Sequence, residues 1–345
     1  MGRMVEGLVE SWMPDGSIGR LGAWGRGKWS RTGRKVPRRP GAIRSRLRFG
    51  LRLQVPPKVY GRIGDLEVRL ARTKADVKRA QRLRYDVFYR EMSARPSFKA
   101  QMRGRDEDRY DAICDHLLVV DTAKDPAIDG ERQWRSRRQP RVTGTYRVLR
   151  QEVAQNAGGF YTQSEYDIAP LVAARSPRYR FMELGRSCVL KPYRNKRTVE
   201  LLWHGLWTYV REHKVDVMIG CASFEGTDPD EHAMALSFLH HHALAGPEWR
   251  VRAHQHLHTE MNRMPKEQVD AKAALKALPP LIKGYLRLGA KVGDGAVIDH
   301  QFGTTDVLIV LPVESIDPRY FEHFGAPGES ESRVAIGRAK AGSRQ

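Results

Sequence analysis

A chain of 345 residues with 41% hydrophobic content can bury a sizeable core, and its length allows one large domain or two small ones. The formal net charge of +20 favours anionic partners, while three widely separated cysteines without a CxxC argue against a disulfide framework or a thiolate zinc site. Nowhere do about 18 uninterrupted apolar residues offer a membrane span, and no apolar run near the start suits a signal peptide, so a cytoplasmic location is expected.

Residues 1–60 carry fourteen Lys/Arg against three Asp/Glu and show no sustained apolar period. They read as a disordered basic arm attracted to nucleic acid, a lipid surface or an acidic protein, with an over-extended reading frame as the alternative. Order begins with "LEVRLARTKADVKRAQRLRYDVFYREM". Alternating Leu66, Val68 and Leu70 predict a strand, and Thr73 with Asp76 three residues on predicts a capped helix. Val77, Ala80, Leu83, Val87 and Phe88 share one helical face, and Arg84 lies at its edge, one turn from Phe88. A charge there is costly without a partner. "HLLVVDT" and "VTGTYRVLR" predict neighbouring strands joined by a polar insertion over 123–141. "FMELGRSCVL" predicts another strand, "RTVELLWHGLWTYVREH" a helix and "VDVMIGCASF" a buried strand. A helix opened by Asp228 and Pro229 follows, then a less regular stretch over 250–278. "LPPLIKGYLRLGAKV" predicts an amphipathic helix with a glycine stop, and "TDVLIVLPV" a buried strand. Between them "GDGAVIDHQFGTTD" reads as a Gly-rich polar loop in which Asp294, Asp299 and His300 form turns, although one of them could bind an ammonium group. The pattern assigns one mixed-sheet α/β (α+β) domain to 61–325 and a flexible tail to 326–345.

The densest chemistry lies in "MELGRSCVLKPYRNKRTVELLW". In a regular strand Glu183 and Arg186 point to opposite faces, so they can cooperate only across a bulge, for which Gly185 is the natural place. Without one, a structural ion pair is the competing reading. A helix starting near Lys196 or Arg197 would offer free N–H groups beside Arg194, Lys196, Arg197 and Thr198, a setting in which a phosphodiester could dock. Neither GxGxxG nor GxxxxGK[ST] occurs, which removes the ordinary dinucleotide and P-loop readings. His240, His241 and His242, like His254, His256 and His258, have no nearby ligand spacing that fits a metal site.

The strand, the "LKPYR" turn and the helix together resemble the acyl-donor-binding motif of the GNAT acyltransferase superfamily, although "RNKRT" replaces its glycine-containing turn, which counts against coenzyme A. Arg84 with Phe88, Asp108 with Asp111, the lone strand Arg147, and Glu183 with Arg186 resemble the marks of the acyl-homoserine-lactone synthase branch. Longer runs are similar to the ornithine N-alpha-acyltransferases of bacterial ornithine-lipid synthesis. Among them are "RYDVFYREM", "GTYRVLRQ", "GGFYTQSEYDIAPL", "ELGRSCVLKPYRNKRTVELLWHGLW" and "GCASFEGTDPDEHAMALSFLHH", and together they span most of 84–312.

The resemblance implies a GNAT-like mixed central sheet flanked by helices. It also implies transfer of a 3-hydroxyacyl group from acyl carrier protein to the α-amine of L-ornithine, with no metal and no redox cofactor. Under it, Glu183 accepts or relays the amine proton, Arg186, Arg84 and Arg147 fix carboxylates or polarise the donor, and Asp108 and Asp111 hold those arginines or the substrate's cations. Phe88 and Asp299 join the substrate site, and Arg194, Lys196, Arg197 and Thr198 meet the donor. The basic surface would steer the carrier and touch an anionic membrane at its inner face. Two other readings stay open: a GNAT enzyme using acyl-coenzyme A and another amine, and a basic nucleic-acid-binding protein, which leaves the long apolar segments unexplained.

Overall fold

The computed structural model describes residues 58–92, 94–123 and 140–317; the expected arm up to residue 57, most of the 123–141 insertion and the expected tail lie outside the described residues. One nine-stranded sheet organises the rest. Its strands are β1 (Val59–Ile63), β2 (Leu66–Leu70), β3 (Asp115–Asp121), β4 (Arg141–Arg150), β5 (Phe181–Val189), β6 (Val217–Glu225), β7 (His258–Thr259), β8 (Lys291–Asp299) and β9 (Thr304–Pro312). They lie in the order β1-β2-β3-β4-β5-β6-β9-β8-β7, and every pairing is antiparallel except β5 with β6.

Eight helices are described: α1 (Lys74–Tyr85), α2 (Phe98–Arg103), α3 (Gln151–Asn156), α4 (Ala169–Arg175), α5 (Lys196–Glu212), α6 (Ala233–Ala243), α7 (Ala271–Ala277) and α8 (Pro280–Arg287). The two-residue period of β3 shows why both sheet faces are covered. Leu117 and Val119 join the core under α5, whereas Leu118 and Val120 join the cluster with Leu83 and Phe88 on the α1 side. α1 starts where its sequence says it should: the Thr73 hydroxyl accepts from Asp76 N at 3.1 Å, and the Asp76 carboxylate accepts from Thr73 N at 3.3 Å. α5 starts at Lys196, capped by Asn195.

Three expectations change. β1 begins at Val59, so Tyr60, which lies in the core at 7% exposure, belongs to the sheet rather than to the arm. α6 begins at Ala233; Asp228 instead accepts from Asp230 N in the preceding turn. The Gly-rich "polar loop" is the strand β8. Its glycines misled because the strand is irregular: its register against β9 shifts between Val292 and Ala296, and Gly295 takes φ +87, a conformation open to glycine at little cost.

Candidate active site

The sheet opens at its centre. β5 and β6 pair at only three positions, from Phe181 with Val217 to Glu183 with Ile219, and then diverge. A side chain could not replace Gly220 at the point of divergence, because a Cβ there would lie 2.2 Å from the Leu184 carbonyl oxygen. The gap is lined by Leu184, Gly185, Arg186, Met218, Tyr285 and Ile309, among others, an apolar crevice with one cation at its edge.

On its other edge β5 carries the expected bulge. Arg147 of β4 faces Gly185 while Thr145 faces Cys188, so Arg186 and Ser187 together stand opposite Tyr146. Arg186 absorbs the extra residue at φ 50, a left-handed conformation that costs an ordinary residue about 1–2 kcal/mol. The result is that Glu183 and Arg186 come to one face, both against Tyr161. The Arg186 guanidinium lies 5.1 Å from the Tyr161 ring centroid, and Glu183 accepts from Tyr161 N at 2.9 Å.

Glu183 is buried and its carboxylate closes the turn over Tyr161–Ser164. It accepts from the backbone N–H groups of Tyr161 and Thr162 and from the Thr162 hydroxyl. It also lines a second small crevice, formed with Cys114, Arg147, Leu149, Tyr161 and Gly185. Gly185 borders both crevices, next to the bulge. Burial pushes the Cys114 thiol in this wall up to about 12, which keeps it protonated and a poor nucleophile near neutral pH. The Cys188 thiol is likewise raised by burial.

Beside the crevices lies a buried lattice of three arginines and three aspartates. Arg84, wholly buried, donates from Nε to Asp106 Oδ2 at 2.7 Å and from Nη2 to the Asp106 carbonyl at 2.6 Å and Asp111 Oδ1 at 2.8 Å. Arg147 reaches Asp108 at 2.7 Å and Asp111 at 3.4 Å, and Arg186 lies 3.3 Å from Asp106 and 3.5 Å from Asp108. Charges in such a place persist only when paired, and here they balance. Burial alone would raise the Asp111 pKa, but Arg84 and Arg147 overcome it and hold that carboxyl below its usual range. Burial would lower the Arg84 pKa, and Asp111 and Asp106 keep the guanidinium charged. Burial, reinforced by Arg84, lowers His116 to about 4, so its neutral ring sits against the Asp111 carbonyl at 3.1 Å.

The expected residues thus divide. Arg84, Arg147, Arg186, Asp108 and Asp111 come together, and the carboxylates hold the arginines. Phe88 is 1% exposed and packs in the core against Phe302, whose ring is 5.9 Å from its own and 4.8 Å from the Arg186 guanidinium. Asp299 is fully buried and closes the β8–β9 turn, accepting from Gln301 N at 2.7 Å and Phe302 N at 3.0 Å. Around the start of α5, Arg194 is engaged by Glu91 and by the Val189 carbonyl, and Thr198 is buried beneath the Asn195 cap. Lys196 and Arg197 are exposed. Asp106, Tyr161 and Thr162 are additions. Asp106 belongs to the same acidic stretch "DEDRYD" as Asp108 and Asp111, whereas nothing in the side chains of Tyr161 and Thr162 announces a role fulfilled mostly by their backbone N–H groups. His241 and His254 bond the carbonyls of Met264 and Gln163, roles that are structural.

Residues 83–204, which contain the lattice, the bulge and the start of α5, match the acetyltransferase (GNAT) domain family. The L-ornithine N(alpha)-acyltransferase of Agrobacterium fabrum is 55% identical over 79% of this chain and 89% of its own length. That of Rhizobium meliloti is 55% identical over 78% and 87%, and that of Rhodobacter capsulatus 38% identical over 75% and 94%. FeeM, an N-acyl amino acid synthase from uncultured soil microbes, is a distant structural likeness, with 10% identity and a TM-score of 0.40 over 72% of this chain and 91% of that one. At 55% identity over 79% and 78% of its length, covering 89% and 87% of two of those relatives, the chain belongs to the L-ornithine N(alpha)-acyltransferase family.

Proposed function

We propose that this enzyme transfers a 3-hydroxyacyl group from acyl carrier protein to the α-amine of L-ornithine, forming lyso-ornithine lipid. The name borne by its relatives supports the acceptor and the reaction. The observation that supports the mechanism is that two crevices of different character share one wall residue, Gly185. The lining of the one between β5 and β6 is apolar, like an acyl chain, and that of the other, with Glu183 and Arg147, is polar, like an amino acid; each measures only about 10 Å³ and must widen to admit its substrate. The amine lone pair attacks the thioester carbon above Gly185, the carbon–sulfur bond breaks, and the carrier's thiolate leaves. That thiolate has a reference pKa of about 8.5 and departs without metal help.

Glu183 lines the acceptor crevice and takes the proton that the amine sheds, directly or through a bridging water. Arg147, on the same wall, pairs with the acceptor's α-carboxylate, and Arg186, on the donor wall, polarises the thioester region. Asp106, Asp108 and Asp111 keep these guanidinium groups in place, and Arg84 anchors the acids from behind. Backbone N–H groups bordering the crevice between β5 and β6 would meet the oxyanion. The first turn of α5, with exposed Lys196 and Arg197, receives the carrier's phosphodiester. The enzyme works in the cytoplasm, touching the inner membrane face where its product is used. Among the described residues no helix is long and apolar enough to cross a membrane.

Donor and acceptor exchange tests the proposal. Purified enzyme is given 3-hydroxyacyl or unsubstituted acyl groups, each on acyl carrier protein or coenzyme A, with ornithine, lysine, glutamine or no acceptor. The expected outcome is Nα-acylornithine, formed fastest from the 3-hydroxyacyl carrier protein. Preference for acyl-coenzyme A, or for another amine, would overturn the assignment.

A further inference from the structure

α8 has two working faces. Leu281 and Tyr285 look into the crevice between β5 and β6, whereas Lys283, Leu286 and Arg287 border a different cavity between α6, α7 and the start of β8. That second cavity measures about 530 Å³, within the range of lipid and cofactor sites, and lies apart from the lattice and the bulge. Four cations, Lys276, Lys283, Arg287 and Lys291, surround it, and no Asp or Glu is among its lining residues. Its floor is apolar, with Phe238, Leu286 and Leu275; the last is 45% exposed, one of few large apolar side chains so open to water. Lys283 bonds the Lys276 carbonyl at 2.9 Å, tying the end of α7 to α8 and keeping the rim together.

A nucleic acid would satisfy the charges of this rim and leave its exposed apolar floor wet, and an acidic protein surface is the competitor that the vesicle experiment separates. Rim and floor together fit an amphipathic anion, whose head neutralises the lysines while its apolar portion covers Leu275 and Leu286. We infer that this groove is where the enzyme docks on a bilayer, seating an anionic phospholipid headgroup between α6, α7 and α8. The inference extends the acyltransferase reading, since α8 lines both the groove and the crevice between β5 and β6, which brings a docked bilayer near the site where the lipid product forms. The binding itself does not depend on which amine is acylated.

The experiment measures partition of the full chain onto vesicles of phosphatidylcholine with and without phosphatidylglycerol, across a salt series. Three variants are compared with wild type: Lys276→Glu/Lys291→Glu in the groove, Leu275→Ser on its floor, and Lys74→Glu/Lys78→Glu, an equal charge change on exposed positions of α1. Each lysine near an anionic surface strengthens binding about five-fold, so reversing the groove pair should weaken partition by at least roughly 30-fold and the α1 pair far less. Leu275→Ser should weaken it without altering its salt dependence. Acyl transfer from soluble carrier-bound donor should persist in all three, which separates failure of docking from failure of the enzymatic reading. Equal losses for the two charge pairs would reduce the effect to net charge and overturn the inference. So would unchanged partition of the groove variants, or their losing acyl carrier protein while keeping vesicles.

Discussion

Replacing Arg84 by methionine keeps the volume of the side chain but removes one charge from a lattice that is otherwise balanced. Three of its contacts lie between 2.6 and 2.8 Å, and none of the guanidinium is exposed. Removing one partner of such a buried pair costs about 3–5 kcal/mol, because the other is left charged and under-solvated. The lower end, about 3 kcal/mol, is expected. Asp106 keeps Arg186 at 3.3 Å and the Tyr89 hydroxyl at 3.2 Å, and Asp111 keeps Gln81 at 2.9 Å. Urea unfolding followed by far-ultraviolet circular dichroism should show that loss as a lower midpoint with an unchanged m-value. Adding Asp106→Asn to the methionine variant restores the balance and should recover about 1–2 kcal/mol, a coupling that neighbours in one network show. A loss below about 1 kcal/mol, or full additivity of the two changes, would refute the view that the lattice is held together by charge balance.

Three further perturbations follow from the geometry. Glu183→Gln should lower kcat by roughly 10²–10⁴-fold, read by acyl transfer with the variant's unfolding midpoint as control; if only stability falls, Glu183 is an anchor for the Tyr161 turn. Gly220→Ala forces a Cβ onto the Leu184 carbonyl, so it should widen or shift the divergence of β5 and β6 and raise the KM for the acyl donor more than that for ornithine. His116, depressed to about 4 by burial and by Arg84, binds its proton in the unfolded chain before the folded one. Its contribution is therefore complete above the unfolded value of about 6.5 and is lost as pH falls toward 4, by about 2 kcal/mol between pH 7 and 4.5. A His116→Gln variant should show a correspondingly smaller drop in stability over that window.

The sequence was most legible where a local rule coincided with a global need. The Thr73–Asp76 box, the alternation of β2 and the start of α5 at Lys196 can each be read from a few residues. The need for a bulge was legible too, because Glu183 and Arg186 could share a face in no other way, but it falls at Arg186 and Ser187, while Gly185, the expected place, stays in register opposite Arg147. What could not be read was who partners whom across the sheet. Asp106 is no different from its acidic neighbours until folding brings it to Arg84, and Arg194 resembles a phosphate ligand until Glu91 arrives from more than a hundred residues away. Asp299 offered a carboxylate in a Gly-rich stretch, but the strand-to-turn geometry of β8 and β9 uses it for backbone capping. The groove behind α8 left no mark at all, since Lys276, Lys283, Arg287 and Lys291 belong to three elements and look like ordinary solvated lysines and arginine in the chain.

The most direct measurement is a lipid profile, by mass spectrometry, of bacterial cells that make no ornithine-containing lipid, expressing the full chain or its Glu183→Ala variant at equal folded levels. The account predicts a new ninhydrin-positive species with the mass of a 3-hydroxyacyl group on the α-nitrogen of ornithine, present with the wild type and absent with the variant. Wild-type cells without that species, or with an acyl group on a different amine, would contradict it.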